Sequence, residues 1–193
     1  TLAGPASPRA GRAQSRLAAI PGGALAVRRG RIAAVGTTRA ILRSWRVGRA
    51  GRAIDASGRL VTPGMVDPHT HAVFAGNRAA EFAQRAAGRT YREIAETGGG
   101  ILSTVRATRA ASAKDLADGL ISRLDRMLAA GTTTAEVKSG YGLGASDEIR
   151  LLEAVGRVAR RHPMRLVRTF LGAHALPPGF RGNRRGYLDL VCG

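Results

Sequence analysis

Cysteine is all but missing. The single thiol, Cys192, stands next to last in a chain of 193 residues. One copy can therefore form no internal disulfide and no cysteine-built zinc site, and any metal must be held by histidine and carboxylate. Lysine is nearly as scarce, with Lys114 and Lys138 the only lysines among 31 basic residues. The arginines run from Arg9 to Arg185 without a basic block, and aromatics make up only 4% of the chain. A nucleic-acid face needs clustered charge interleaved with stacking rings, so the formal charge of +18 reads as compositional bias. A basic nucleic-acid-binding protein remains the rival from another class, supported by charge alone. Long apolar runs are also lacking: Pro5, Pro8, Arg9, Arg12 and Arg16 break up residues 1–20, which excludes a signal peptide or membrane span there. A soluble, cytoplasmic protein with no nucleic-acid and no membrane partner is the expectation.

What is present is a globular composition, 44% hydrophobic, with room for one sizeable core. Residues 1–20 have no clear period and are expected to be a loose leader. Two short apolar runs, Ala24 to Val27 and Ile32 to Val35, flank Arg28-Arg29-Gly30-Arg31 and predict a β-hairpin. It belongs to a small β element over residues 21–59, which also takes in a basic stretch around Trp45. From residue 60 the pattern changes to alternating strands and helices. Leu60-Val61-Thr62, broken by Pro63-Gly64 and resumed at Met65-Val66, is read as strand. Ser112 with Asp115 opens an amphipathic helix carrying Leu116, Leu120, Leu124, Met127 and Leu128, which Gly131 stops. Thr132 to Val137 is a second strand. Ser146 or Asp147 is expected to cap a second helix with Ile149, Leu152, Val155 and Ala159 on its buried face, running out near His162-Pro163. Leu166 to Leu171 is a third strand. The order predicts a parallel α/β sheet with right-handed crossovers, open or closed as a barrel.

The chemistry concentrates where strands end. His69 and His71 are two apart in an extended segment, so both imidazoles can face one metal. The bland alternative is two polar residues in a turn; the strand that feeds the pair adds weight, since sites in βα folds lie at C-terminal strand ends. Tyr141 and His174 hold equivalent positions after the second and third strands. His162, before Pro163, is read as a capping cation at a helix end. Gly98 to Gly100 is read as a helix stop and a loop near the site, with no Gly-Lys-Ser/Thr to suggest phosphate binding.

Val61-Thr62-Pro63-Gly64-Met65-Val66-Asp67-Pro68-His69-Thr70-His71 resembles the first-strand signature of the amidohydrolase superfamily. Within it, His71 to Arg78, Gly98 to Arg106, Glu136 to Leu143 and Phe170 to Ala175 are similar to the imidazolonepropionase family, a likeness spanning roughly residues 24–180. The resemblance implies a (β/α)8 TIM-like barrel, of which residues 60–193 would be the N-terminal part with about three βα units. It implies that His69 and His71 ligate one Zn(II) or Fe(III) ion. Arg78, Tyr141 and His174 would hold 4-imidazolone-5-propanoate for hydrolysis to N-formimidoyl-L-glutamate, a step of histidine degradation. An arginine fork suits the propanoate carboxylate. A proton shuttle and the closing ligands, a histidine, an aspartate and a glutamate in the family, would fall on later strands, so catalytic residues are expected outside this chain. The chain is accordingly read as truncated and inactive alone, with a homodimer implied for the full-length form. Lys138 follows the second strand, whereas the carbamylated lysine of binuclear relatives follows the fourth, so it is assigned a structural role. Another cyclic amidohydrolase, such as a hydantoinase or dihydroorotase, or an aminohydrolase, would share the His-x-His strand but not the Tyr141 loop.

Overall fold

A computed structural model of the chain describes residues 9–193. It divides into two units, one ending at Pro63 and one from Gly64 to Gly193. Of the expected leader, residues 1–8 lie outside the described residues, and Gly11–Ser15 form one short 3₁₀ turn with no buried residue.

In the first unit the hairpin is present. Strands β1 (Gly23–Arg28) and β2 (Arg31–Thr37) pair antiparallel. The two residues between them, Arg29 and Gly30, both take positive φ, 53° and 71°, as a tight hairpin turn matching the strand twist requires. Ala26 faces Ala34 while Val27 faces Ile32, which leaves Ala33 as a one-residue bulge. A helix not foreseen in the basic stretch, α1 (Thr38–Ser44), follows directly. Thr37 caps it by accepting the Ala40 N–H at 3.3 Å, and Ile41 is its one buried residue. The expected strand at Leu60 to Thr62 is absent: these residues are exposed, Leu60 by 87%. No strand lies alongside to pair with them among the described residues, Pro63 offers no N–H, and the ladder starts only at Met65, whose N–H donates to the Gly131 carbonyl at 3.0 Å.

The second unit carries three parallel strands in sequence order, β3 (Met65–Thr70), β4 (Thr132–Lys138) and β5 (Arg165–Thr169). Pro68 interrupts the register between Asp67 and Thr70, which β3 tolerates because it lies at an edge of this sheet. Between β3 and β4 run α2 (Ala79–Ala86), α3 (Tyr91–Glu96), α4 (Ile101–Ala110) and α5 (Ala113–Ala129); α6 (Ala145–Ala159) joins β4 to β5, and α7 (Arg184–Cys192) follows. The helix at Ser112 forms as expected, closed by a reciprocal capping box in which Ser112 and Asp115 satisfy each other's backbone N–H groups. Gly131, with φ of 96°, turns the chain from α5 into β4 in a conformation a side chain would strain.

Helices α5 and α6 cover one face of the sheet. Leu116, Leu120 and Leu124 of α5, Ala135 and Val137 of β4, and Leu151, Ala154, Val155 and Val158 of α6 are fully shielded from solvent. The α6 face differs from the sequence reading. Of Ile149, Leu152, Val155 and Ala159 only Val155 is buried, and Ile149 is 55% exposed. Apolar residues surround this helix on several sides, and the sheet selects the 151–154–155–158 stripe. The cap also differs: Gly144 occupies the position without a side-chain hydrogen bond, while Asp147 and Glu148 fall in the first turn.

The His162 ring does not cap the helix end. Its Nδ1 accepts the Met164 N–H at 3.2 Å and its Nε2 lies 3.2 Å from the Asp125 carboxylate. These two contacts pin the α6–β5 turn onto α5.

The assignment of the buried α6 face can be checked directly. Leu120→Ala should cost about 2–5 kcal/mol and Val155→Ala somewhat less, while Ile149→Ala should stay within about 0.5 kcal/mol. Urea unfolding curves of the three variants measure this, and an Ile149→Ala loss as large as that of Val155→Ala would overturn it.

Candidate active site

The C-terminal ends of the three strands deliver four aromatic or imidazole side chains to a common place, two of them from β3. On β3 the Asp67 carboxylate accepts the His69 N–H at 3.1 Å, spanning Pro68 and fixing the backbone that presents His69. Thr70 donates to the Glu136 carbonyl at 2.6 Å, tying the strand end to β4. Ala72 and Val73 are then buried, which anchors the chain immediately beyond His71. Tyr141 comes from the loop after β4 and His174 from the turn after β5. Ala173 before it has a φ of 56°.

His71 is the hub. Its ring centroid lies 5.8 Å from His69, 5.1 Å from Tyr141 and 4.8 Å from His174, and Tyr141 is 5.8 Å from His174. Burial, with the His174 and His69 imidazoles as lesser causes, holds the His71 pKa below its ordinary value, opposed by the nearby Ser139 backbone carbonyl, which favours a protonated ring. The buried Nδ1 of His71 has no hydrogen-bond partner among the described residues. A neutral imidazole with a buried, unpartnered ring nitrogen fits metal ligation, which requires an unprotonated donor. Among the described residues no group of three or more His, Cys, Asp or Glu side chains gathers to hold a metal, so the local donor set stops at the histidine pair.

Arg78 stands beside this cluster. A cleft of about 370 Å³ is lined by Phe74, Asn77, Arg78, Thr104, Arg123 and Tyr141, among others, so Arg78 and Tyr141 share it, while His174 touches it only through the Tyr141 ring. The Arg78 Nε is engaged by Glu81 at 2.7 Å, and the other oxygen of Glu81 accepts the Gly100 N–H at 3.0 Å. The glycine run thus joins the site through Glu81. It ends α3 as expected, and Gly100 becomes the N-cap of α4.

Lys138 pairs with Glu136 at 2.7 Å, and Glu136 also accepts from the Thr169 hydroxyl at 2.5 Å. Lys138, the Thr169 hydroxyl and then His69 hold the Glu136 pKa below the usual carboxylate range.

Three contributors went unnoticed in the sequence. Arg123 of α5 lies over the Phe74 ring, 3.6 Å from its centroid, and donates to the Ala72 and Phe74 carbonyls at 3.0 Å each. Glu81 orients Arg78. Glu148 accepts three N–H groups of the Tyr141 loop. The available signal for Glu148 was an acid in the first turn of a helix entered from a glycine-rich loop; for Arg123, which sits mid-helix among other arginines, no local signal existed.

Parallel strands joined by helices bring imidazoles and a tyrosine together at their C-terminal ends, where sites in βα folds lie. Residues 52–176 match the amidohydrolase family, and the chain belongs to this metal-dependent family. It is 56% identical to the imidazolonepropionase of Symbiobacterium thermophilum over 191 residues, 99% of this chain and 44% of that protein. Against the imidazolonepropionase of Solibacter usitatus it is 51% identical, covering 99% of this chain and 45% of that protein, and against that of Herpetosiphon aurantiacus 48%, covering 98% and 44%. The resemblance drawn from the motifs is borne out, and the chain spans less than half the length of these curated relatives.

The depressed pKa of His71 carries a pH signature. Below 6.5, its ordinary value, an unfolded chain takes up a proton that the folded His71 resists. The stability this residue contributes is therefore present above 6.5 and is lost as the pH falls toward the folded pKa. In the metal-free chain the urea midpoint should drop between about pH 7.5 and about pH 5.5, and His71→Asn should flatten part of that slope. An identical slope in the variant would refute a His71 that resists protonation in the folded chain.

Proposed function

We propose that this chain carries the first part of the active site of an imidazolonepropionase, a hydrolase that opens the cyclic amide of 4-imidazolone-5-propanoate. The observation that carries the reading is the His71 hub, an imidazole whose buried Nδ1 is unpartnered among the described residues and whose ring packs against His69, Tyr141 and His174. The imidazolonepropionases to which the chain is similar point the same way. The sheet is the opening segment of a (β/α)8 barrel. In support, its strands are parallel and consecutive, and the face away from α5 and α6 leaves Val66 and Val167 exposed, whereas parallel sheets are ordinarily covered on both sides.

His69 and His71 would hold one Zn(II) or Fe(III) ion, which supplies Lewis acidity to activate water near neutral pH. The side chains present do the rest of the binding. With its Nε committed to Glu81, Arg78 keeps its two terminal nitrogens for the propanoate carboxylate, a charge-assisted fork. Tyr141 and His174 offer hydrogen bonds to the polar ring, and Phe74, braced by Arg123, lines the cleft against its flat face. Water adds across the ring carbonyl–nitrogen bond, which breaks to give N-formimidoyl-L-glutamate. The remaining metal ligands and the proton shuttle, a histidine, an aspartate and a glutamate, belong to the portion of the relatives that this chain does not match.

Hydrolysis of imidazolone-propanoate, followed with metal content, tests this on the chain itself and on a chimera that continues it with the remainder of the Symbiobacterium thermophilum relative. Turnover and near-stoichiometric metal are expected in the chimera alone, and a folded, metal-loaded chimera without turnover would sink the substrate assignment. In the active form Arg78→Met should raise KM roughly 10- to 100-fold with a smaller change in kcat, as loss of a charge-assisted pair predicts. An unchanged KM would remove Arg78 from the carboxylate site.

A further inference from the structure

The loop between β4 and α6 presents Tyr141, yet its own backbone is poorly suited to stand alone. Gly140 has a φ of 119° and Leu143 a φ of 58°; the latter lies in the left-handed region, which a branched aliphatic residue rarely adopts. The helix that follows starts at Gly144 without a side-chain cap. Such a segment would ordinarily sample several conformations and carry its tyrosine with it.

One carboxylate removes that freedom. Glu148, in the first turn of α6, is 3% exposed. Its Oε2 accepts the Gly140 N–H at 2.6 Å, and its Oε1 accepts those of Gly142 at 2.7 Å and Leu143 at 2.6 Å. The three donors bracket Tyr141 on both sides, so the peptide planes around it are held from one point. Arg109 of α4 secures the opposite edge by donating to the Gly142 carbonyl at 2.8 Å. The same carboxylate reaches His174 indirectly, because Gly140 packs on that ring: a Cβ added at Gly140 would lie 3.2 Å from the His174 Cβ and Cγ. An aliphatic residue in place of Glu148 would leave three buried N–H groups unpaired, and a buried carboxylate persists only when its hydrogen bonds are complete. The His69–His71 pair is fixed separately, through Asp67, Thr70 and the buried Ala72–Val73 segment.

We propose that Glu148 is a positioning residue that sets Tyr141 and His174 in register with His71, and so governs substrate binding without touching substrate or metal. This rests on the reading that Tyr141 and His174 hold the ligand. Glu148→Gln is the sharp test, because replacing either oxygen by NH2 turns a donor toward a backbone donor.

In the chain itself, nuclear Overhauser contacts between the Tyr141 ring and the His71 and His174 rings should weaken or vanish in Glu148→Gln, while the amide signals of α5 and β3 stay in place. In the active chimera the variant should raise KM about tenfold or more, with metal content unchanged. Added to Tyr141→Phe it should cost little further, the non-additivity of residues acting through one another. Glu148→Asp keeps the acceptors on a shorter arm and should recover part of the loss; should the glutamine variant fail to fold, Glu148→Asp read by the same contacts and kinetics decides the matter. Undisturbed ring contacts, or effects that add fully to those of Tyr141→Phe, overturn the proposal. Ring contacts that respond while Tyr141→Phe leaves KM unaltered would instead overturn the substrate reading on which it rests.

Discussion

The packing of α5 and α6 onto a single face of the parallel sheet is the constraint from which the site follows. Parallel strands cannot turn back directly and must be joined by crossovers, and here the helices in those crossovers bury Leu116, Leu120 and Leu124 on one side and Leu151, Val155 and Val158 on the other against Ala135 and Val137. With the strands locked in consecutive order, their C-terminal ends lie in a row. His71, Tyr141 and His174 are separated by 70 and then 33 positions in the chain, yet their rings meet within 6 Å. Aliphatic burial does the long-range work; the polar groups then adjust orientation over short distances.

Arginine, the most abundant charged residue, takes part in that adjustment. Arg150 of α6 donates to the Ala111, Thr108 and Arg109 carbonyls at 2.7 to 3.1 Å, satisfying acceptors that the end of α4 leaves open. Arg109 ties α4 to the Tyr141 loop and to Asp147, and Arg123 grips two carbonyls while stacking on Phe74. Each uses the planar, multi-donor guanidinium in a way that a lysine ammonium does not reproduce. Part of the basic excess is thus internal scaffolding, which a reading based on net charge and scatter along the chain does not reveal.

Much of the fold was legible because its signals are local and periodic. The hairpin declared itself through two apolar runs around Arg29-Gly30, the α5 helix through the Ser112 and Asp115 cap, and the site through His69-x-His71 at a strand end. The misreadings occur where local pattern is ambiguous and tertiary contact decides. Leu60 to Thr62 has strand composition but pairs with no strand among the described residues. In α6 several stripes of apolar residues competed, and the sheet chose the one through Leu151 and Val158. Ser146 and Asp147 looked like caps, yet the acid that matters, Glu148, faces back into the loop. His162 resembled a cation at a helix end until Met164 supplied a donor to its ring. Arg78 could be named from its motif, but the Glu81 carboxylate that aims it lies one helical turn onward and pairs with a glycine 19 positions away.

Because each strand contributes a separate loop to the rim of the sheet, the histidine pair on β3 is anchored apart from the loops that follow β4 and β5. The Tyr141 loop is tied to α4 and α6, the Arg78 segment to Glu81 and the α3–α4 turn, and the histidine pair to β3 itself. A lineage could therefore exchange the Tyr141 loop while leaving the histidine pair and the aliphatic layer beneath it untouched. Such a division of labour allows new specificities to arise by insertion and substitution at the rim, at little risk to folding.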